Sequence, residues 1–559
     1  MIGLMDLHAG TGRMALWRRD LSGKYWLEVR TLAGEPLGEV GPEYLPQGAH
    51  WSPDGAAIAF GSNDGRLFVY RVGEAAPREV FAQPPLQAGF CEWSPSGDRL
   101  VFSAYDPAAE LPPRIYVLEL ATGRATTLTD DARMADRFPH WSPSGEWLAF
   151  KRQDLDEPER PTRVTVCEVA TGRTWPILNT ARGQWTGRYA WRADSSALLV
   201  TQREGEGAAL LALRPGAGAE TWRYTSAAVR DGFFLPDGNS LVCVCTDALL
   251  WCDYPSGALR QRLPLAAAVR VHYDGPQVGF SADGASVYFV GEDYCVYQWT
   301  LGGACERVIE AAAEARPAYT HEEYTVPSRD GRAVPVQRFI PPNAKRAAIL
   351  YVIGGPGEEI NANDPFMLRL LAEGVEVVAV AYRGCDGYGP EHLEANRGEY
   401  GRADVWDVLA AGQDWVARTG GDRPLIVVGF SYGGFLTLLA LAQAEQPFAA
   451  GVAMWTLSDL RHMQAQEHRT FPTDPDERAR AVVERSPLRQ AGRIRGPLLI
   501  LHGALDTTAT TEELETMRDA MRAAGGECAL VVYPDDTHGL GRHRDDVHRE
   551  VLAWVARCA

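Results

Sequence analysis

The sequence predicts two successive domains: a seven-bladed β-propeller over residues 1–315, then a mostly parallel, doubly wound α/β sheet over residues 316–559. Three observations carry this expectation. A five-residue turn motif recurs at nearly constant spacing through the first three hundred residues. After residue 322, apolar strands alternate with helical patterns. The length of 559 residues exceeds what one ordinary core organises.

The repeat is read from Trp51-Ser52-Pro53-Asp54-Gly55, which returns as Trp93-Ser94-Pro95-Ser96-Gly97 and Trp141-Ser142-Pro143-Ser144-Gly145. Weaker copies follow at Trp191-Arg192-Ala193-Asp194, Phe234-Leu235-Pro236-Asp237-Gly238 and Phe280-Ser281-Ala282-Asp283-Gly284. The spacings of 42, 48, 50, 43 and 46 residues suit one four-stranded blade per copy. Proline presets φ, Asp or Ser caps the turn, glycine takes positive φ, and the aromatic is expected to pack between blades. An alternating strand follows most copies, as in Ile58-Ala59-Phe60 and Leu100-Val101-Phe102. Six marked units and an unmarked one at Met14–Val40 make seven, where an unrelated all-β sandwich is the alternative. These blades resemble TolB-like propeller repeats, and no chemistry is assigned to the turn residues.

The repeat stops between Ile309 and Thr320, which reads as a linker. Tyr324–Arg338 then reads as strand, Ser328-Arg329-Asp330-Gly331 turn, and strand. Ala347–Ile353, Val375–Tyr382, Leu425–Gly429, Ala449–Met454, Pro497–Leu501 and Ala529–Tyr533 are apolar strands. Helical patterns such as Arg402–Thr419 and Thr511–Ala524 separate most of them. Such alternation implies a parallel sheet covered on both faces, with functional groups on loops at the strands' carboxyl ends.

One stretch concentrates the chemistry. Leu425-Ile426-Val427-Val428 lacks polar alternation, as in a strand buried on both faces, and runs into Gly429-Phe430-Ser431-Tyr432-Gly433 and an apolar helix. A G-x-S-x-G between strand and helix holds its serine at a strained apex and needs glycines where side chains would collide. The helix N-terminus also favours developing negative charge. Ser431 is therefore the candidate nucleophile.

A serine hydroxyl needs an imidazole to take its proton and an acid to fix that imidazole's tautomer. The chain order Ser…Asp…His is that of α/β-hydrolases. His538 follows a strand directly and is preferred over His543 and His548, which are expected on the solvated face of the last helix. Asp506 follows a strand and the His502-Gly503 turn, which His502 is expected to order. Asp459 is the runner-up acid, and Asp535 and Asp536 read as loop charges. Oxyanion donors are expected from the amide of Tyr432 and from the loop Gly354-Gly355-Pro356-Gly357. That loop lacks the lysine and spacing of a phosphate-binding loop.

Composition narrows the rest. A formal charge of −18 disfavours nucleic acid and anionic membranes as partners. The opening MIGLMDLHAGTGR lacks the basic head and apolar core of an export signal, so a cytoplasmic protein is expected. The ten cysteines lie in apolar segments without paired C-x-x-C motifs, and read as reduced, buried thiols. No metal or organic cofactor is implied.

Together these features resemble the prolyl oligopeptidase family of serine peptidases, and within it the acylaminoacyl-peptidase and dipeptidyl-aminopeptidase-like branch. The resemblance rests on Gly429–Phe435 as the elbow, Gly354-Gly355-Pro356 as the glycine loop, and Tyr382-Arg383-Gly384-Cys385-Asp386-Gly387-Tyr388-Gly389. Ser486-Pro487-Leu488, Leu501-His502-Gly503 with Asp506, and His538-Gly539 follow in family order. It implies Ser431, Asp506 and His538 as catalytic triad, the amides of Gly355 and Tyr432 as oxyanion hole, and a propeller that admits only short or unfolded peptides. Two positions depart from the pattern. Ile353 stands where relatives place a His or Tyr before the glycines. Thr508 stands where relatives carry an Arg or Asn that grips a peptide carbonyl, and Thr supplies only one hydrogen bond there.

The expected activity is hydrolysis of amide bonds in short or N-acylated peptides through an acyl-enzyme. Phe430, Tyr432 and Trp455 are candidates to line an apolar substrate pocket, with Thr508 beside them; plain core is the other reading of the aromatics. An esterase, amidase or acyl-transfer enzyme on a small specialised substrate is the alternative. A ligand-binding propeller with an inert hydrolase domain is a third reading. The sequence leaves a homo-oligomer open.

Overall fold

The computed structural model describes the chain apart from residues 1, 21, 45, 107–111, 156–161, 180–185, 205–206, 217–219, 227–228, 246, 266–277, 292, 311–316, 345–346, 422, 464–473 and 559. It divides into two compact units, Met1–Arg19 with Tyr25–Ala313, and Glu314–Ala559 with Asp20–Lys24. Much of the expected linker lies outside the described residues.

The first unit contains seven four-stranded antiparallel sheets, each built from four consecutive strands. The recurring motif is the turn between the first and second strands of a blade: Pro46–Trp51 ends on the tryptophan and Ala57–Ser62 follows. Within it Ser52 Oγ donates to Asp54 Oδ1 at 2.6 Å and accepts from the Ala57 amide at 3.0 Å. Gly55 takes φ 66°, the left-handed conformation that the turn requires. The tryptophan reaches back to the preceding blade, as where Trp93 Nε1 donates to the His50 carbonyl at 3.1 Å. The unmarked first blade begins at Ile2, earlier than the expected Met14, because strand Ile2–His8 pairs with Arg13–Arg19 through a turn without the motif.

Seven separate apolar clusters hold the ring, each shared by two neighbouring blades. The closing cluster joins Ile2, Leu4, Met14 and Leu16 of the first blade to Tyr288, Val290, Val296 and Ile309 of the last. Closure is thus made by side-chain packing, with no strand exchanged between the ends among the described residues.

The second unit is organised on one eight-stranded sheet: β1 (Thr320–Pro327), β2 (Ala333–Ile340), β3 (Ala348–Val352), β4 (Glu376–Val380), β5 (Leu425–Phe430), β6 (Ala450–Met454), β7 (Leu498–Gly503) and β8 (Cys528–Tyr533). The order is β1-β2-β4-β3-β5-β6-β7-β8. The first two strands are antiparallel, and all pairings from β4 to β8 are parallel. The strands expected from apolar runs therefore form, with ends shifted by one or two residues. Helices α1 (Pro365–Ala372), α2 (Ala403–Thr419), α3 (Tyr432–Leu441), α4 (Thr511–Ala523) and α5 (Arg544–Cys558) connect or follow them. Every residue of β3, β4 and β6 is buried, which is why these segments read as apolar runs, interrupted only by Glu376 at the start of β4. No described helix is long and apolar enough to cross a membrane.

Candidate active site

The site is assembled from the carboxyl ends of β3, β5, β7 and β8. At the end of β5, Ser431 adopts φ 53° and ψ −123°, a conformation that a non-glycine residue holds only where the surroundings impose it. Its amide donates to the Met454 carbonyl at 2.9 Å, which anchors the apex to β6. The flanking glycines are required by space. A β-carbon on Gly429 would lie 2.2 Å from the Gly433 carbonyl oxygen, and one on Gly433 would lie 2.1 Å from that of Val352.

His538, on the loop after β8, places Nε2 2.9 Å from Ser431 Oγ and Nδ1 2.8 Å from Asp506 Oδ2. The Asp506 carboxylate is fully covered, whereas the imidazole is 35% exposed and open to a reactant. Asp506 Oδ1 accepts the Thr508 amide at 2.7 Å. Because Nδ1 faces a carboxylate acceptor, it carries the ring proton. Nε2 is thereby left to accept the serine hydroxyl.

Gly355 and Tyr432 are the candidate oxyanion donors. Tyr432 opens α3, and neither its amide nor that of Gly355 donates to a protein acceptor among the described residues. Both donors are available to an oxyanion. Tyr382, of the arginine-containing motif, steadies the glycine loop by donating its hydroxyl to the Gly354 carbonyl at 2.5 Å. Ile353 is buried in the core, so no side-chain donor stands before the glycines.

A second layer was not foreseen from sequence. Arg383 donates to both oxygens of the buried Asp407, to Asp330 and to Ser328. The guanidinium holds the Asp330 carboxyl down at about 2. Asp404, one helical turn before Asp407 on α2, accepts the Tyr432 hydroxyl and the Val405 amide, and burial pushes its carboxyl up to about 7. Burial holds the Tyr432 phenol well above its usual range. The signal for this layer was present in the two acidic residues spaced three apart among Val405, Val408 and Leu409, on the apolar stripe of α2.

Other candidates fall elsewhere. Asp459 is buried and paired with Arg461, with Nη2 2.5 Å from Oδ2. Asp535 faces His543 at 2.8 Å. Asp536 is more than a loop charge: fully buried, it accepts the amides of Thr537, Arg542 and His543 and so braces the loop that carries His538. His548 is not on a solvated face. It is 3% exposed, packs edge-on to Phe366, and burial drives its pKa to about 4. His502 does not order its turn by hydrogen bonding, since both ring nitrogens are buried without a hydrogen-bond partner among the described residues, Nδ1 lying 3.9 Å from Asp506. Burial also lowers its pKa. Phe430 stacks obliquely between Tyr351 and Trp455, and Trp455 is 4% exposed. The Thr508 side chain is exposed, and its amide rather than its hydroxyl serves the site.

An α/β sheet of this order, with a strained serine, an imidazole and a buried carboxylate in sequence along its carboxyl edge, defines a serine-hydrolase type of domain. More particularly, residues 363–559 match the family model of the prolyl oligopeptidase family. Dipeptidyl-peptidase 5 of Porphyromonas gingivalis is 24% identical over 521 residues, covering 87% of this chain and 69% of that protein. The uncharacterized peptidase YuxL of Bacillus subtilis is 35% identical over 186 residues, which span 31% of this chain and only 28% of YuxL. Among solved structures, a puromycin hydrolase superposes with TM-score 0.77 at 19% identity, covering 100% of this chain and 93% of that one. Pyrococcus horikoshii acylaminoacyl peptidase superposes with TM-score 0.67 at 15% identity, covering 99% and 95%. Both likenesses are of fold.

Proposed function

We propose that the protein is a serine peptidase that cleaves amide bonds of short peptides through an acyl-enzyme. The observation that carries this reading is the continuous relay from Ser431 Oγ through His538 to the buried Asp506 carboxylate. In this reading His538 Nε2 takes the serine proton as Oγ attacks the carbonyl carbon. The amides of Gly355 and Tyr432 stabilise the oxyanion, and Asp506 holds the imidazolium. The same Nε2–H then protonates the departing amine, and water admitted on that side releases the acid by the reverse sequence.

A second reading, hydrolysis of a small amide or ester, is favoured by Thr508, whose exposed side chain offers no charged grip for an extended peptide. The likeness in fold to structures described as puromycin hydrolase is compatible with it. We place the reaction in the cytoplasm; the buried, apolar setting of most of the ten cysteines, none of them in a disulfide, supports a reducing compartment.

The test is to treat the protein and Ser431→Ala with a fluorophosphonate, then assay N-acylated aminoacyl anilides, free aminoacyl and dipeptidyl anilides, and aryl esters. Labelling of the protein but not of Ser431→Ala, with anilide turnover, is expected. Ester turnover alone selects the second reading, and absence of labelling leaves only a binding role.

A further inference from the structure

We propose that Glu358 forms a cation subsite beside the scissile bond, and that the cation it takes is the free α-ammonium of the acyl-side residue. This deepens the hydrolase reading and rests on it, and it separates free aminoacyl substrates from peptidyl and N-acylated ones.

The carboxylate is carried on the loop that supplies the Gly355 amide, three residues further on. That loop is tied to the segment after β4 at three points. Tyr382 donates to the Gly354 carbonyl at 2.5 Å, the Gly357 amide to the Gly384 carbonyl at 2.8 Å, and the Asp386 amide to the Glu358 carbonyl at 3.0 Å. The main chain beneath the side chain is therefore held in place before any ligand arrives.

The side chain folds back over the glycines. Its Oε1 lies 3.4 Å from where a β-carbon on Gly354 would stand, and the Phe430 ring lies 2.9 Å from the same point. The carboxylate thus sits over the loop, close to the residue that precedes Ser431. It is within electrostatic reach of His538, which attracts it, and of Asp364, which repels it. It is exposed to solvent, yet crowding by the protein and Asp364 raise its pKa.

Among the described residues the Glu358 carboxylate has neither a hydrogen bond nor an ion pair. Other acidic groups of this domain are engaged. Asp506 holds His538, Asp536 braces the histidine loop, Asp364 caps α1 through the Met367 amide, Asp404 takes the Tyr432 hydroxyl, and Asp407 takes Arg383. A carboxylate on a loop so anchored, and left without a donor among the described residues, is matched by one the substrate brings. With the scissile carbonyl oxygen on the Gly355 amide, an α-ammonium is separated from the carbonyl carbon by the α-carbon alone. A carboxylate on the same loop is then in range, whereas an N-acyl group would set a neutral amide against it.

The test uses the full-length protein with Glu358→Gln and Glu358→Lys. Phosphonylation of Ser431 is timed in the presence of alanine, leucine and phenylalanine amides, each with a free amine and N-acetylated. In the unmodified protein the free amides are expected to protect at lower concentration than their acetylated forms. Glu358→Gln is expected to lower that ratio of apparent affinities about tenfold, and Glu358→Lys to invert it. Equal protection by the two forms, no protection by the free amides, or a ratio unmoved by both variants overturns the proposal. A carboxylate acting only on the His538 imidazolium would slow labelling alike under every competitor and leave the ratio unchanged, which also overturns it. Failure of the unmodified protein to react with the phosphonate is a separate result that removes the hydrolase reading itself.

Discussion

Gly433 stands so close to Val352 that a β-carbon on it would lie 2.1 Å from the Val352 carbonyl oxygen. The second obstacle, the Ile353 carbonyl at 2.3 Å, is also main chain and cannot rotate away. Gly433→Ala therefore has to push α3 off the end of β3, which carries the glycine loop. The expected cost is about 3 kcal/mol, the upper end for overpacking, with loss of Ser431 labelling. Denaturant titration read out by phosphonate labelling checks both; a variant that labels at the normal rate would show that the elbow can relax.

Asp506 reaches His538 at 2.8 Å and is wholly covered. Asp506→Asn keeps the shape but offers an amide that can donate to Nδ1, favouring the wrong tautomer. A fall in kcat of about 10⁴-fold with little change in KM is expected, the scale set by the same exchange in other triads. Steady-state kinetics on the best anilide or ester substrate measure it. A loss under tenfold would assign the orienting role elsewhere.

Arg383 is the cation that makes the buried Asp407 tolerable, with Nη2 2.8 Å from Oδ1 and Nε 2.9 Å from Oδ2. Removing it in Arg383→Met strands a carboxylate in the core beneath the segment that steadies the glycine loop. The expected destabilisation is about 3–5 kcal/mol, against a smaller loss in the double variant Arg383→Met with Asp407→Leu. Chemical unfolding of the four members of the cycle provides the comparison.

Asp404 gives a pH signature. Its folded-state pKa of about 7 lies above the ordinary 3.8, so the folded protein binds the proton more tightly than the unfolded chain. The contribution is fully present below the unfolded value and is lost as pH rises through about 7. Thermal midpoints are expected to decline from this source between about pH 4 and 7, and Asp404→Asn to flatten that decline. Identical slopes in the two proteins would mean that the Asp404 carboxyl is ionised throughout.

The blades and the parallel sheet were legible because both rest on local patterns. A Trp-Ser-Pro-Asp-Gly turn caps itself through Ser52 and Asp54, and a strand buried on both faces writes an uninterrupted apolar run. The first blade's opening strand was missed for the same reason, since its turn at His8–Gly12 carries none of those residues. Ser431, Asp506 and His538 could be named from chain order and from their places after strands. The charges behind them could not. The place of Asp404 and Asp407 on the apolar stripe of a helix marks them as unusual, but only packing reveals that one is buried against a phenol and the other against Arg383.

The sequence by itself determined the two domains, the blade repeat, the strained turn and the order of the reactive residues, because each is an intrinsic preference of a short segment. Tertiary structure alone decided that His548 is buried and that Asp536 braces a loop. It also decided that Glu358 is left without a partner among the described residues. Those outcomes depend on which distant side chains share a low-dielectric neighbourhood, and charge pairing there is set by three-dimensional distance and burial rather than by spacing along the chain.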